Sequence, residues 1–253
     1  MATSLTICNS ALIKLGAEVI SSLSDNNKRA ILCNTQYETL KNKVLRAHPW
    51  NFAIARAQLV SDITVPSWGF NSAFVLPVGC LRVIDVRYDY EYSVEGSLLL
   101  LKEGYTEIVT DEVEAASTTT IINATAHEVL ANDIVLINSE RRLVASITDN
   151  TFTLATALSG APSATDEIVV YRPAEVFIRY IADVDEALFT DDFAEALAHY
   201  IAYELAYSLV QSKELRNENF QLYQEMVRSS RNFDAQEGTP EDFRVETFTN
   251  ARL

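Results

Sequence analysis

The sequence predicts an α+β fold: a helical bundle from N- and C-terminal helices, with a central β region and an inserted small all-β module. Three observations predict it. Apolar residues recur at three- and four-residue steps near both ends of the chain, the spacing of one helix face. Inward from the first of these, β-branched residues alternate with others in runs broken by proline and glycine. From about Glu112 to Arg172, Thr, Ser and Ala rise, helical spacing disappears and five short β runs follow one another. The 253 residues therefore divide into a core at 1–111 and 173–238, an inserted β module at 112–172 and an extended C-terminal stretch at 239–253.

Leu5, Cys8, Leu12 and Leu15 mark the first helix, with Thr3 or Ser4 to cap its start and Gly16 its end. Ser24 and Asp25 offer the next N-cap. Ala30, Cys33, Tyr37, Leu40, Val44 and Ala47 then form an apolar seam. Pro49 disfavours a helical His48, so this helix should end near Ala47. Trp50 and Phe52, two residues apart in an extended stretch, share a face and plug the end of the helical hairpin. Ala73 to Tyr88 reads as strand, split by Pro77 and Gly79. Ser97 to Glu112 reads as one or two strands turning at Glu103-Gly104. In the module the runs are TTTIINAT, DIVLIN, RLVASIT, TFTLATAL and EIVVYRP, with Asp149-Asn150 as a hairpin signal. Val176 to Ile181 resumes the earlier strand pattern. Thr190 caps a third helix whose face is Ala194, Leu197, Ile201, Leu205 and Ser208. A fourth runs from about Lys213 through Leu222, Met226 and Phe233 to Gly238, with Pro240 beyond.

Three cysteines without CxxC spacing predict reduced thiols, Cys8 and Cys33 on apolar helix positions. The N-terminus lacks a charged leader before an apolar run, and no run is long enough to span a bilayer. The net charge of −15 is uneven: residues 1–110 hold ten basic and ten acidic side chains, residues 111–253 ten and twenty-five. A phosphate-gripping protein would show the opposite sign somewhere. The excess serves either solubility or a surface that must not stick to nucleic acid. Residues 1–58 carry seven basic and three acidic groups, and Asp183 to Gly238 four and twelve. Two helical hairpins of opposite sign should therefore pack together.

Little points to catalysis, metal or cofactor binding. His48, His127 and His199 have no second ligand at metal spacing, and there is no HExxH, Walker loop, GxGxxG or GxSxG. His48 reads as a turn residue and His199 as a surface partner of Glu195 one helical turn away. Asp191 and Asp192 are adjacent, so they do not face one site, and helix capping explains them better. Tyr200, Tyr203 and Tyr207 follow helical spacing and read as a packing seam.

The stretch NSALIKLGAEVISSLSDNNKRAILCNTQYETLKNKVLRAHPWNFAIARAQL resembles the opening of the tail tubular protein A family, the head-to-tail adaptors of short-tailed bacteriophages. FVLPVGCLRV resembles that family's next element, and RYIADVDEALFTDDFAEALAHYIAYELAYSLVQS its C-terminal helical part. The resemblance covers roughly 1–110 and 176–238. ANDIVLIN and LVASITDNTFTL resemble small β modules that recur in phage structural proteins, a departure from the shortest adaptors. The resemblance implies a virion protein at the head–tail interface, made in the host cytoplasm, without cofactor, enzymatic activity or membrane contact. Such adaptors form a ring, usually of about twelve copies, between the portal protein and the next tail (nozzle or tube) protein. DNA passes through the channel without specific binding. A C-terminal arm docks on the portal; here that arm is Thr239 to Leu253, with Phe243, Val245, Phe248 and Arg252 as contacts. Pro49, Trp50 and Phe52 become a structural corner that holds helices and sheet at the fixed angle a closed ring needs. A wall of like sign to the phosphates lets DNA slide, and some C-terminal helical carboxylates would supply it. Two other readings are a tail-tube terminator or baseplate component, and a cell-wall hydrolase working through two carboxylates.

Overall fold

The computed structural model describes residues 2–63, 65–88, 90–115, 117–124, 129–148 and 151–236. It corrects the expected fold class. Among the described residues the chain is a mixed helix-and-sheet, β-rich fold, with thirteen strands in three antiparallel sheets beside four helices, and not a helical bundle that carries β parts. The error has a physical source. A helical face repeats over several turns and accumulates signal, whereas strands of three to nine residues each speak faintly. The chain forms two compact units, Met1–Ala55 with Ile181–Leu253, and Arg56–Tyr180.

In the first unit α1 (Ser4–Lys14) starts at Thr3, whose hydroxyl accepts from the Thr6 N–H while Thr6 Oγ1 accepts from the Thr3 N–H. It ends in a paired motif: the Gly16 N–H reaches Ile13 O, the Ala17 N–H reaches Leu12 O, and Gly16 takes φ +66°. Helix α2 (Lys28–Ala47) is capped by Asn27, not by Ser24 or Asp25. The Asp25 carboxylate instead accepts from the Ser21 hydroxyl and the Ser21 and Ser22 N–H groups, which holds it below its usual pKa. The seam is buried at Ala30, Cys33, Tyr37, Leu40 and Val44, but Ala47 is exposed and Leu45 is buried instead. Cys8 and Cys33 are free, buried thiols, and the influence of Cys33 together with burial pushes the Cys8 thiol well up. Helix α3 (Asp191–Leu209) is capped by Thr190, as expected. It packs against α1, α2 and α4 (Lys213–Gln236), which explains why alanines line so much of it: small side chains let three neighbours approach. Ser208, expected on its apolar face, is exposed. The opposite signs meet here: Lys41 Nζ lies 3.1 Å from Asp183, Lys43 3.5 Å from Glu204, and Lys14 pairs with Glu195.

The second unit is β. Strands β2 (Val60–Asp62), β3 (Ser72–Val75), β6 (Leu98–Leu101) and β5 (Tyr92–Glu95) form one sheet in that order. Strands β1 (Ile54–Gln58), β13 (Phe177–Ala182) and β4 (Cys80–Val86) form another. Leu59, Phe74, Val86, Leu99, Leu101, Val176 and Ile178 make a single core with residues from both sheets. The third sheet has the order β7 (Tyr105–Glu112), β12 (Glu167–Pro173), β9 (Ile134–Ile137), β10 (Glu140–Thr148), β11 (Thr151–Leu154), β8 (Ile121–Asn123). Strand β10 bulges between Val144 and Ser146, pairing with β9 before the bulge and with β11 after it as well. A bulge bends a strand and increases its twist. Beyond β7 the Glu114 N–H donates to Asn123 O of β8 at 2.7 Å, so the two ends of the sheet meet around Ile122, Val135, Val144, Phe152, Ile168 and Val170. Joining the ends removes open edges. All five runs read in the module are strands of this sheet, and Thr148 faces Thr151 in an antiparallel pair, while Asp149 and Asn150 lie outside the described residues.

Glu103-Gly104 is not the hairpin turn expected: β6 and β7 belong to different sheets. Gly104 sits where the chain crosses, with its N–H on Asn71 Oδ1 and its carbonyl accepting from the Ala174 N–H.

Candidate functional site

The corner after α2 is built by two tight turns rather than the expected extended stretch. His48 leaves the helix with extended backbone, as Pro49 demands. The Trp50 N–H then donates to His48 O at 2.9 Å, closing a three-residue turn about Pro49. Asn51–Ala53 follows as a 3-10 turn. Trp50 is 1% exposed and donates its indole N–H to Val44 O at 3.1 Å, satisfying a carbonyl that the helix end leaves open. Its ring meets His48 at 4.9 Å and Phe193 at 5.0 Å between centroids, both edge to face. Phe52 meets Phe193 at 5.0 Å and Phe189 at 5.7 Å. The corner thus welds α2 to the start of α3, two segments about 140 residues apart in sequence. Phe189 and Phe193 were not singled out from the sequence. Their four-residue spacing across the Thr190 cap was the available signal.

The buried polar groups are structural. Lys41 is buried between Glu38 Oε2 at 2.8 Å and Asp183. Burial opposes its charge, and the two carboxylates outweigh that and raise its pKa. In the β unit Asp133 is buried and accepts from Arg172 through Nε at 3.1 Å and Nη2 at 2.9 Å, and from the Leu130 N–H. This pair lines a cleft of about 390 Å³ beside β2, with Leu59, Val60, Ser61 and Glu175.

His199 is not on the surface. It is buried between α3 and α4. Asn219 donates through Nδ2 to Leu215 O, so its Oδ1 accepts from His199 Nδ1–H at 2.9 Å. Nε2 then faces Glu195 at 3.6 Å, a carboxylate already held by Lys14. Burial lowers the His199 pKa, the Asn219 contact opposes this, Lys14 adds to it, and Glu195 and Glu218 oppose it. A base whose folded pKa lies below its unfolded value of about 6.5 stabilises the fold above that pH, and the contribution is lost as pH falls through it. The melting temperature should therefore be lower at pH 5.5 than at pH 7.5, and the difference should shrink in His199→Gln. An equal difference in wild type and variant assigns the pH dependence elsewhere.

Of the residues expected to contact a partner, Phe243, Val245, Phe248 and Arg252 lie outside the described residues, as does His127. Pro49, Trp50 and Phe52 come together as one corner. The three tyrosines do not form one seam: Tyr200 is buried on Tyr203 and Tyr223, Tyr203 stacks on Phe220, and Tyr207 is exposed. Among the described residues no group of His, Cys, Asp and Glu is placed to hold a metal ion, and no helix is long and apolar enough to cross a membrane. No protein-family model matches the sequence, and no curated protein matches it.

Proposed function

We propose that this chain is a virion structural protein. It forms a ring between portal and tail, extends the DNA channel and joins head to tail, without catalysis or cofactor. The observation that carries the reading is the Trp50–Phe52–Phe189–Phe193 cluster. The N- and C-terminal helical stretches that resemble the tail tubular protein A family are distant in sequence, and this cluster joins their helices in one compact unit. A ring subunit must hold its contact surfaces at a fixed angle, because angular errors accumulate around a closed circle. A buried aromatic weld suits that demand better than solvated loops. On this reading the lysines of α1 and α2 are largely spent inside the unit, on Glu195, Asp183 and Glu204, which leaves the surface acidic. An acidic channel wall would not grip DNA.

The test is mass by light scattering, for the full chain alone and after mixing with its cognate portal ring. The expected result is a portal that gains about a dozen copies of the chain. A chain that ignores the portal and forms a discrete ring or tube alone belongs to the tail-tube or baseplate class instead.

A further inference from the structure

The two ends of α3 differ in charge, and each carries an exposed apolar side chain. At the N-terminal end Leu188 is 57% exposed, and Asp185, Asp191 and Asp192 are exposed around it in sequence. Asp183 and Glu186 add to the same sign, with Lys41 neutralising Asp183. At the C-terminal end Tyr207 is 59% and Val210 40% exposed. There Lys28 Nζ caps the helix by donating to Ser208 O at 2.6 Å, Lys213 opens α4, and Arg216 lies over the Tyr203 ring at 4.7 Å. Glu214 is the acidic group among them. Nineteen residues of helix separate the ends by roughly 28 Å. Both ends belong to one compact unit.

We propose that these ends are the two halves of a contact between copies of this chain: the acidic Leu188 end of one copy receives the basic Tyr207–Val210 end of the next. This rests on the ring reading and names its interface. The occupant is a second copy because the two patches complement each other in charge, while like ends repel. A contact between two different patches is head-to-tail, and repetition of a head-to-tail contact closes a ring when the rotation allows. An apolar anchor within a charged rim is the composition of protein interfaces. Opposite rims also speed encounter and exclude the wrong orientation.

Two charge reversals test it. Variant A is Lys213→Glu with Lys28→Glu, which leaves both ends acidic. Variant B is Asp185→Lys with Asp191→Lys and Asp192→Lys, which outweighs Glu186 and leaves both ends basic. Assembly is followed by light scattering over a concentration series at low salt, and on the portal ring, with circular dichroism reporting folding. Each variant alone should assemble at least tenfold more weakly than wild type. An equimolar mixture of A and B should recover assembly, because every contact then joins unlike ends. A misfolded variant cannot produce that recovery. If wild type assembles and either folded variant assembles as well by itself, or the mixture recovers nothing, this interface is overturned and the ring reading stands. A wild-type chain that stays monomeric both free and with the portal overturns the two together.

Discussion

Trp50→Ala lowers the stability of the helical unit by about 3–5 kcal/mol, the cost of deleting a fully buried aromatic ring. The size follows from what the ring touches. It is 1% exposed, lies against His48 and Phe193, and its N–H satisfies Val44 O. Truncation leaves a cavity between α2 and α3 and an unpaired carbonyl at the end of α2. Trp50→Phe separates these effects: it keeps most of the bulk, loses the donor and should cost about 1–3 kcal/mol. Urea unfolding followed by circular dichroism measures both. A Trp50→Ala midpoint within experimental error of wild type would show that the corner is not a weld, and would remove the main support for the adaptor proposal. The other tryptophan, Trp68, is 85% exposed, so blue-shifted fluorescence reports Trp50 and its loss tracks the corner directly.

Gly104→Ala destabilises the β unit by about 1–3 kcal/mol, the cost of forcing extra volume into a packed site. The backbone conformation is not at issue; the space is. A Cβ built on Gly104 stands 2.0 Å from Ser72 Oγ, 2.8 Å from Ser72 Cβ and 3.0 Å from Phe74 Cε2. Ser72 cannot swing away freely, because it is fully buried and donates to Leu101 O at 3.0 Å. Neither can the backbone at 104, which is held by Asn71 and Ala174. Ser72→Gly should therefore rescue Gly104→Ala, whereas Ser72→Ala, which retains the clashing Cβ, should rescue it less. Thermal melts of the two double variants decide it: equal rescue, or none, means that the strain lies elsewhere.

The helices were legible because their causes are local. The Thr3 and Thr190 caps, the Gly16 stop and the end of α2 before Pro49 each depend on residues within a turn of the event they control. The cap of α2 was misread because Asp25 found closer donors in Ser21 and Ser22, leaving Asn27 to bond Ala30. His199 was misread because Glu195 is visible one turn away, while Asn219, its hydrogen-bonding partner, lies 20 residues on in another helix. The five module strands were each visible. Their sheet was not, since β7 joins it and β12 lies between β7 and β9, a register set by pairing across more than fifty residues to β7 and more than thirty to β9.

By itself, then, the sequence determined where most helix ends and short strands fall, and that the basic N-terminal and acidic C-terminal hairpins would pack together. Each follows from neighbouring residues or from charge that acts regardless of detailed packing. Only the tertiary structure decided that the fold is β-rich, that Trp50 rests on Phe193, that Gly104 has no room for a methyl group, and that His199 is buried. Those facts depend on which distant surfaces touch. Periodicity marks a residue as inward-facing but cannot name the partner it faces.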